Sequence, residues 1–474
     1  MTISQESVIK EYQTGTPDTR GSPGNFSTEE LQKLAELWSL VLDYLAANKD
    51  KQIPVNSELL QQASHDWSAL GPDNEISDSE DCEETTRRAW KFTKGETGIR
   101  KLGSWGRKPK ADQQRLMLDR YVNETTQEHI DRRTGHYVPL LPEKYIPSFK
   151  YPDGSTRNLQ EVFWRLASAK QHPDIWLHRM LRSNSWDVNK AMDAIQWVVD
   201  WRATQAVDRV NWEGDVNLGL DELRLGISEL VGVDRLGCPL MYVRVRRIMP
   251  RANQSFVLKR FLVHQFEALQ FVTRKCTRIS MLYDFTGFSM DNTPFHIVHF
   301  LVTMGIRQYA ETTSVLILLV DSWLFANFWN LVRPFLDANL SARIVFAKSI
   351  DDVRVFVDDR QIPEEVGGSN RFQAVFKLPE INENSQLFDA TRREVAEEAW
   401  WERVRGFEEA TRKWCARYSG NVSDEYAERR DQAAQELDRA ERQLSRFTRA
   451  RNIFERLGVV DAASGCLRLP DAPQ

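Results

Sequence analysis

Apolar positions along this chain keep a helical period at both ends and lose it in between. Leu31, Leu34, Leu37, Trp38, Val41, Leu42 and Leu45 recur at three- and four-residue steps. Ser27, with Glu30 three residues on, supplies a start signal for that helix. The helical period returns over 158–203. Leu159, Val162, Phe163 and Leu166 form one apolar face; a second unit opens near Asp174 with Leu177, Met180 and Leu181; a third follows the cap Asp187 with Ala191, Ala194, Ile195, Val198 and Trp201. From 216 to 370 short β-rich runs alternate with amphipathic stretches. Strands are predicted at Leu240 to Val245, Ile279 to Asp284, Val315 to Val320 and Arg343 to Phe346, and helices at Phe256 to Thr273 and Pro294 to Gln308. That alternation predicts an α/β layered sheet, partly parallel. Two long helices close the chain, Thr391 to Arg417 and Asp424 to Leu457. In the second, Leu437, Ala440, Leu444 and Phe447 form a short coiled-coil-like seam, open either to packing on the main body or to a partner helix.

Two stretches lack such patterning. Residues 1–25 are polar and rich in Gly and Pro, and read as a flexible tail. Between the first helix and the second helical block, acidic residues crowd positions 73–84 and basic ones 87–110. Such segregated charge fits a solvated loop, or a polybasic membrane-surface patch aided by Trp90 and Trp105 and opposed by phosphorylation of Ser77 or Ser79.

Composition narrows the class. Lys and Arg total 63 against 68 Asp and Glu, a net charge of -5, which argues against a bulk-basic nucleic-acid binder. At 41% hydrophobic and 28% charged residues the chain is globular rather than disordered. The five cysteines, Cys82, Cys238, Cys276, Cys415 and Cys466, form no CxxC pair, so neither zinc nor a disulfide framework is expected. No signal peptide or membrane-spanning run is evident, and a cytoplasmic protein is expected.

The chemistry of an enzyme is missing at the level of motifs. There is no GxSxG elbow, no GxGxxG after a strand and no GxxxxGK[ST] loop. His296 and His299 share a helix face without carboxylates at metal-binding spacing, so no metal and no cofactor is predicted. Asp284 ends a strand, where either a function or a turn fits. The stretch WLFANFWNLVRPFL, Trp323 to Leu336, is more informative: its apolar residues surround almost the whole helix, which must be buried or must meet something apolar.

These pieces, in this order, resemble the CRAL-TRIO lipid-binding family. The matching segments are DRLGCPLMYV, MLYDFTGFS, YAETTSVLILLVDSWLFANFWNLVRPFLD and IPEEVGG, with HRMLRSNSWDVNKAMDAIQWVVDWR and SPGNFSTEELQKLAEL upstream. The likeness is to its phosphatidylinositol-transfer branch, including filamentous-fungal variants with a long N-terminal insertion. It implies an α/β lipid-binding domain at 216–375, a helical N-terminal unit at 26–215 interrupted by the insertion at about 48–158, and an added helical region at 388–474. It also implies a hydrophobic pocket under a movable gate helix, here Trp323, Leu324, Phe325, Phe328, Trp329 and Val332.

Carried over by position, the resemblance assigns inositol-phosphate contacts to Glu311 and Arg343, with Asn184 where the family has Arg and Leu340 where it has Thr. Arg182 matches a different family position. The second-lipid pocket loses the family's Ser and Thr to Ile279 and Met281, which leaves buried choline-phosphate oxygens unpaired and makes phosphatidylcholine a poor ligand. The expected function is a cytosolic, peripheral lipid-transfer protein, not an enzyme, that carries phosphatidylinositol between membranes or presents it to a lipid kinase, without nucleic acid as a partner. Free diffusion cannot do this: each exposed acyl CH₂ costs ~0.8 kcal/mol, so a two-chain lipid with about 30 of them costs about 24 kcal/mol. The alternatives are a carrier or sensor for a neutral lipid such as a sterol or squalene, a helical-tail scaffold with a vestigial pocket, and, more remotely, heme binding through His264.

Overall fold

The computed structural model describes residues 4–15, 25–56, 154–217, 223, 226–248, 255–272, 278–288, 295–320, 324–371, 377, 379, 383–417, 424–461 and 468. The charged stretch 73–110, with Ser77, Ser79, Trp90 and Trp105, lies outside them. Helices α1 (Gln5–Thr14) and α2 (Thr28–Ala47) come first, then the strand β1 (Gln52–Pro54). From residue 154 onward come β2 (Thr156–Asn158), α3 (Leu159–Ala167), α4 (Asp174–Ser183), α5 (Val188–Thr204) and α6 (Val207–Asn217). β1 and β2 pair antiparallel, Gln52 opposite Asn158 and Pro54 opposite Thr156, so both strands, expected within the inserted stretch at about 48–158, lie side by side next to the helical unit. Three-residue strands carry no readable alternation, which is why the pattern does not announce them.

The α/β part holds one five-stranded sheet, ordered β3 (Ser228–Val233), β4 (Pro239–Arg244), β5 (Ile279–Asp284), β6 (Thr313–Leu319) and β7 (Ile344–Ala347). β3 runs antiparallel to β4, and the other neighbours are parallel. The sequence reading missed β3, whose ELVG core is buried but does not alternate. On one face Leu240, Tyr242, Leu282, Val315 and Ile317 pack with Val353, Phe356 and Ile362. On the other, Met241, Val243, Ile279 and Met281 meet Phe261, Leu269 and Val272 of α7 (Ser255–Val272). Helix α8 (Phe295–Thr303) continues as a π-helical turn, Met304–Gln308, before β6, where the sequence predicts one unbroken helix. α9 (Leu324–Val332) and the short α10 (Ala338–Arg343) bridge β6 and β7, and the short α11 (Ile350–Arg354) follows β7.

Two expectations are corrected. Residues 5–14 are not a flexible tail: α1 lies against the sheet with Val8 and Tyr12 buried. The Tyr12 hydroxyl donates to Asp234 at 2.5 Å and meets Ser314 at 2.9 Å. Its apolar residues are too few to show a period, and only the sheet gives them something to bury against. The last helix also stops early. α12 (Ala390–Arg417) matches expectation, but α13 (Asp424–Thr448) ends nine residues short of Leu457. Ala450 N–H donates to the Asn211 carbonyl at 2.8 Å, and an Asn452–Glu455 capping box starts a new helix, α14 (Ile453–Arg456). A Cβ built on Gly214, which sits at φ 58° in the kink of α6, would lie 2.5 Å from Ala450 Cβ. Gly214 thus supplies both the positive φ and the room.

The C-terminal helices pack inward. Trp400, Val404 and Phe407 of α12 and Leu437, Ala440 and Leu444 of α13 join the core of α2, α3, α4 and α5. The seam is therefore an internal contact. At its centre the Arg430 guanidinium forms a two-pronged pair with Asp174, Nη1 to Oδ2 being 2.6 Å and Nη2 bonding Oδ1. Trp38 Nε1 donates to the same carboxylate at 2.6 Å, and the guanidinium lies over the rings of Trp414, Phe407 and Trp38. Burial alone would push the Asp174 carboxyl up; Arg430, then His172, outweigh it and hold the group well below the usual carboxylate range.

Asp174→Asn is expected to lower stability by about 3–5 kcal/mol at neutral pH, because the buried Arg430 loses its counter-charge. A carboxyl whose folded pKa is depressed contributes above its unfolded value, about 3.9, and that contribution is lost as pH falls below it. Urea midpoints of wild type and variant should therefore converge under acid; a gap that stays constant down to pH 2–3 would contradict this. Gly214→Ala should loosen the α13–α14 junction, read as faster hydrogen exchange over 449–456 with α2 and α5 unaffected.

Candidate functional site

Three parallel strands begin side by side. Ile279 of β5 is opposite Thr313 of β6, and Leu316 of β6 is opposite Ile344 of β7. Arg278 directly precedes β5, Glu311 lies two residues before β6, and Arg343 directly precedes β7. Three charged residues so gather at one sheet edge, although each is isolated in sequence. Helix α4 brings Arg179 and Arg182 to the same edge; three residues apart, they share a helix face.

Glu311 sits at φ 58°, in the left-handed region that costs a non-glycine residue about 1–2 kcal/mol. Its side chain is 4% exposed, and Oε2 lies 3.3 Å from Arg182 Nη2, an ion-pair contact without hydrogen-bond geometry. Arg343 is 2% exposed. Its Nη1 donates to the Ser314 carbonyl at 3.0 Å, while Nε and Nη2 have no hydrogen-bond partner. Burial, then Arg278, pushes the Arg343 guanidinium down to about 10, with Glu311 acting the other way. Arg179 is likewise pushed down to about 10, by burial and then by Arg278. Arg179, Arg182 and Arg343 thus share the field of one buried carboxylate, while Arg278 repels two of them. An anion placed among them relieves both the repulsion and the unpaired guanidinium edge.

Asn184 does not join this cluster. It ends α4, where its Nδ2 donates to the Met180 carbonyl at 2.9 Å and to Ser183 Oγ at 3.2 Å. Two positions past Arg182 the helix has turned by more than half a circle, so Arg182, not Asn184, meets Glu311. Arg179 and Arg278 were missed as candidates. The signal for Arg179 was an arginine three residues before Arg182 on the same helix; Arg278 carries none.

The proposed gate segment is partly described. Trp323 lies outside the described residues, and of Leu324 only the backbone in α9 is described. Phe325, Phe328 and Val332 are buried. Phe325 meets Phe285 at 4.8 Å between ring centroids and Phe328 meets Phe288 at 5.6 Å. Trp329 is half-buried and sets its ring 4.8 Å from that of Phe346, an exposed residue on β7. Phe335, also exposed, contacts Phe295 and His299. The helix therefore buries one aromatic face and leaves aromatic carbon at its rim.

Ile279 and Met281 are buried on the sheet face under α7, and Leu340 is half-buried beside α9. Asp284 is tied up at its strand end, accepting from Tyr242 Oη at 2.9 Å, Arg246 Nη1 at 2.8 Å and Thr286 N at 2.9 Å. His264 Nε2 bonds Asp215, which also pairs with Arg456 of α14, so that nitrogen is not open to an iron. No helix among the described residues is long and apolar enough to cross a membrane. Among those residues no group of three His, Cys, Asp or Glu could hold a metal ion.

Residues 223–368 match the CRAL/TRIO domain family. A phosphatidylinositol transfer protein, CSR1, of Eremothecium gossypii is 27% identical over 341 residues, spanning 70% of this chain and 77% of that protein. A CRAL-TRIO domain-containing protein of Schizosaccharomyces pombe is 22% identical over 311 residues, 64% of this chain and 69% of its own length. The crystal structure of Sfh5 overlaps 56% of this chain and 91% of its own at 11% identity and a TM-score of 0.35.

The buried, half-partnered guanidinium of Arg343 is held against the stability of the ligand-free fold. Arg343→Met is expected to raise the urea midpoint by the equivalent of about 1–3 kcal/mol. A lower midpoint would mean that the guanidinium is fully satisfied.

Proposed function

In a chain that carries a CRAL-TRIO domain, a lipid-binding fold, we propose that the arginine-rich edge of the sheet takes the phosphate and inositol of phosphatidylinositol. The observation that carries this reading is Arg343: buried, with Nε and Nη2 unpartnered, in the field of Glu311. Arg343, with Arg182 and Arg179 beside it, pairs the phosphate, and the Glu311 carboxylate accepts hydrogen bonds from ring hydroxyls. The acyl chains lie on the apolar sheet face lined by Met241, Ile279 and Met281, under α7 and the aromatic face of α9. α9 acts as the gate, opening where Trp329, Phe335 and Phe346 meet a bilayer. The protein works as a peripheral lipid-transfer protein in the cytoplasm, moving phosphatidylinositol between membranes or presenting it to a lipid kinase, and makes or breaks no bond itself.

The apolar wall at Ile279 and Met281 favours a second reading for the counter-ligand. It offers no hydroxyl to a choline phosphate, so phosphatidylcholine is a poor ligand and a sterol or another neutral lipid a better one.

Transfer of phosphatidylinositol between vesicles tests both readings. Glu311→Ala and Arg343→Ala should each slow it at least about tenfold, the loss of one charge-assisted contact, while Arg343→Lys keeps part of the rate. Unchanged transfer in both alanine variants would refute the headgroup assignment. Efficient phosphatidylcholine exchange by wild type would refute the assignment of the apolar wall.

A further inference from the structure

The sheet face assigned to the acyl chains is closed at one flank by a segment from far along the chain. Leu230, Met241, Met281, Leu316 and Ile344 stand opposite one another in turn, so one apolar row crosses the whole sheet from β3 to β7. With neighbouring strands about 4.8 Å apart the row is about 19 Å long, the reach of an extended long-chain acyl tail. Phe328 and Val332 of α9 pack with Ile344 and Leu316 at the β7 end, and α7 covers the middle. At the β3 end the row meets α14: Ile453 and Phe454, then Val459 and Val460, join Leu230, Met241 and Met281 in one buried cluster. Phe454 is 2% exposed. Where α14 meets β3, the cleft lined by Leu223, Leu230, Phe454 and Val459 has room for about one water, so the flank is shut.

This segment lies beyond residues 223–368, the stretch matched by the family, and buried charges fasten it. Arg456 pairs with Asp215 of α6 and, at 2.9 Å, with Glu383; Asp215 also bonds His264 Nε2 of α7. Arg449 holds Glu455 through two bonds of 2.7 and 2.8 Å. The Phe454 carbonyl accepts from Val459 N at 3.1 Å and Val460 N at 3.2 Å, which turns the chain back onto the same apolar cluster. Lifting α14 away would strand Asp215 and Arg456 without their counter-charges, so α14 is a fixed wall rather than a removable plug. We propose that α14 is the end wall of the acyl chamber and that Phe454 sets the length of tail the protein accepts. A tail that enters under α9 runs along the row and stops against the Phe454 ring. The inference rests on the placement of the tails given under Proposed function and adds to it the residue that measures them.

The test offers the full-length protein phosphatidylcholine vesicles that carry equal amounts of dipalmitoyl and diarachidoyl phosphatidylinositol, and counts the bound species by mass spectrometry. Wild type should load mainly the dipalmitoyl form. Phe454→Ala should move the ratio about tenfold toward the diarachidoyl form, since each further CH₂ that finds room is worth about fourfold in loading. Phe454→Leu should move it the same way by less, and serves if the alanine variant does not fold. Leu437→Ala, which opens the helical core away from the sheet, should lower the melting temperature and leave the ratio alone. An unchanged ratio in a folded Phe454 variant that still loads phosphatidylinositol would overturn the inference and leave the proposed function standing. An equal shift in Leu437→Ala would also overturn it, as general loosening, and so would wild type that takes both forms equally. Wild type that loads neither form would overturn the lipid reading itself, and this inference with it.

Discussion

Asp174 and Arg430 come from segments 256 residues apart and meet where both are buried. A carboxylate and a guanidinium so far from water are tolerable only as a pair, and only with their remaining atoms occupied. Trp38 bonds the carboxylate, Thr411 accepts from Arg430 Nε at 3.1 Å, and three rings cover the guanidinium plane. The pair fixes the start of α4 against α2 and the C-terminal helices. Arg179 and Arg182 lie farther along α4, at the sheet edge. The contact that fastens the C-terminal hairpin is thus also the contact that aims two of the site's cations, and the hairpin is part of the frame rather than an appendage.

The same physics with the opposite sign governs the site. At the sheet edge Arg179, Arg182 and Arg343 share the one carboxylate of Glu311, and Arg343 keeps two nitrogens without partners. Protein interiors resolve such an imbalance when they can, as this one does at Asp174. Leaving it unresolved lowers the stability of the empty protein and raises its affinity for an anion by a related amount. The aromatic rim of α9 has the same character: Phe346 and Phe335 remain exposed beside a buried ring cluster, costly in water and favourable against hydrocarbon. In the function proposed above, the first feature would serve a headgroup and the second the acyl chains.

Much of the frame was legible beforehand because it depends on local period. Four of five sheet strands and the helices of the N-terminal block follow from runs of Val, Ile and Leu or from three- and four-residue steps. β3 escaped because its buried core does not alternate, and α1 because Val8 and Tyr12 alone make no pattern. The π-helical turn at Met304–Gln308 and the break after Thr448 escaped for a different reason. Both interrupt sequences that are acceptable as helix, and the interruption is forced by what they dock against, Ala450 against Gly214 being the plainest case.

By itself, the sequence determined the α/β class, the order of helical and layered regions, the aromatic character of the 323–336 segment and, through resemblance, the candidates Glu311 and Arg343. These depend on residue type and spacing along the chain. Tertiary structure alone decided which charges meet. Arg182 reaches Glu311 while Asn184 turns back to cap its own helix, because a helix rotates neighbouring positions apart by about 100° per residue. Arg278, Glu311 and Arg343 become neighbours only because parallel pairing aligns the starts of β5, β6 and β7. Strand register is a property of hydrogen bonds between segments, and no spacing within one segment encodes it.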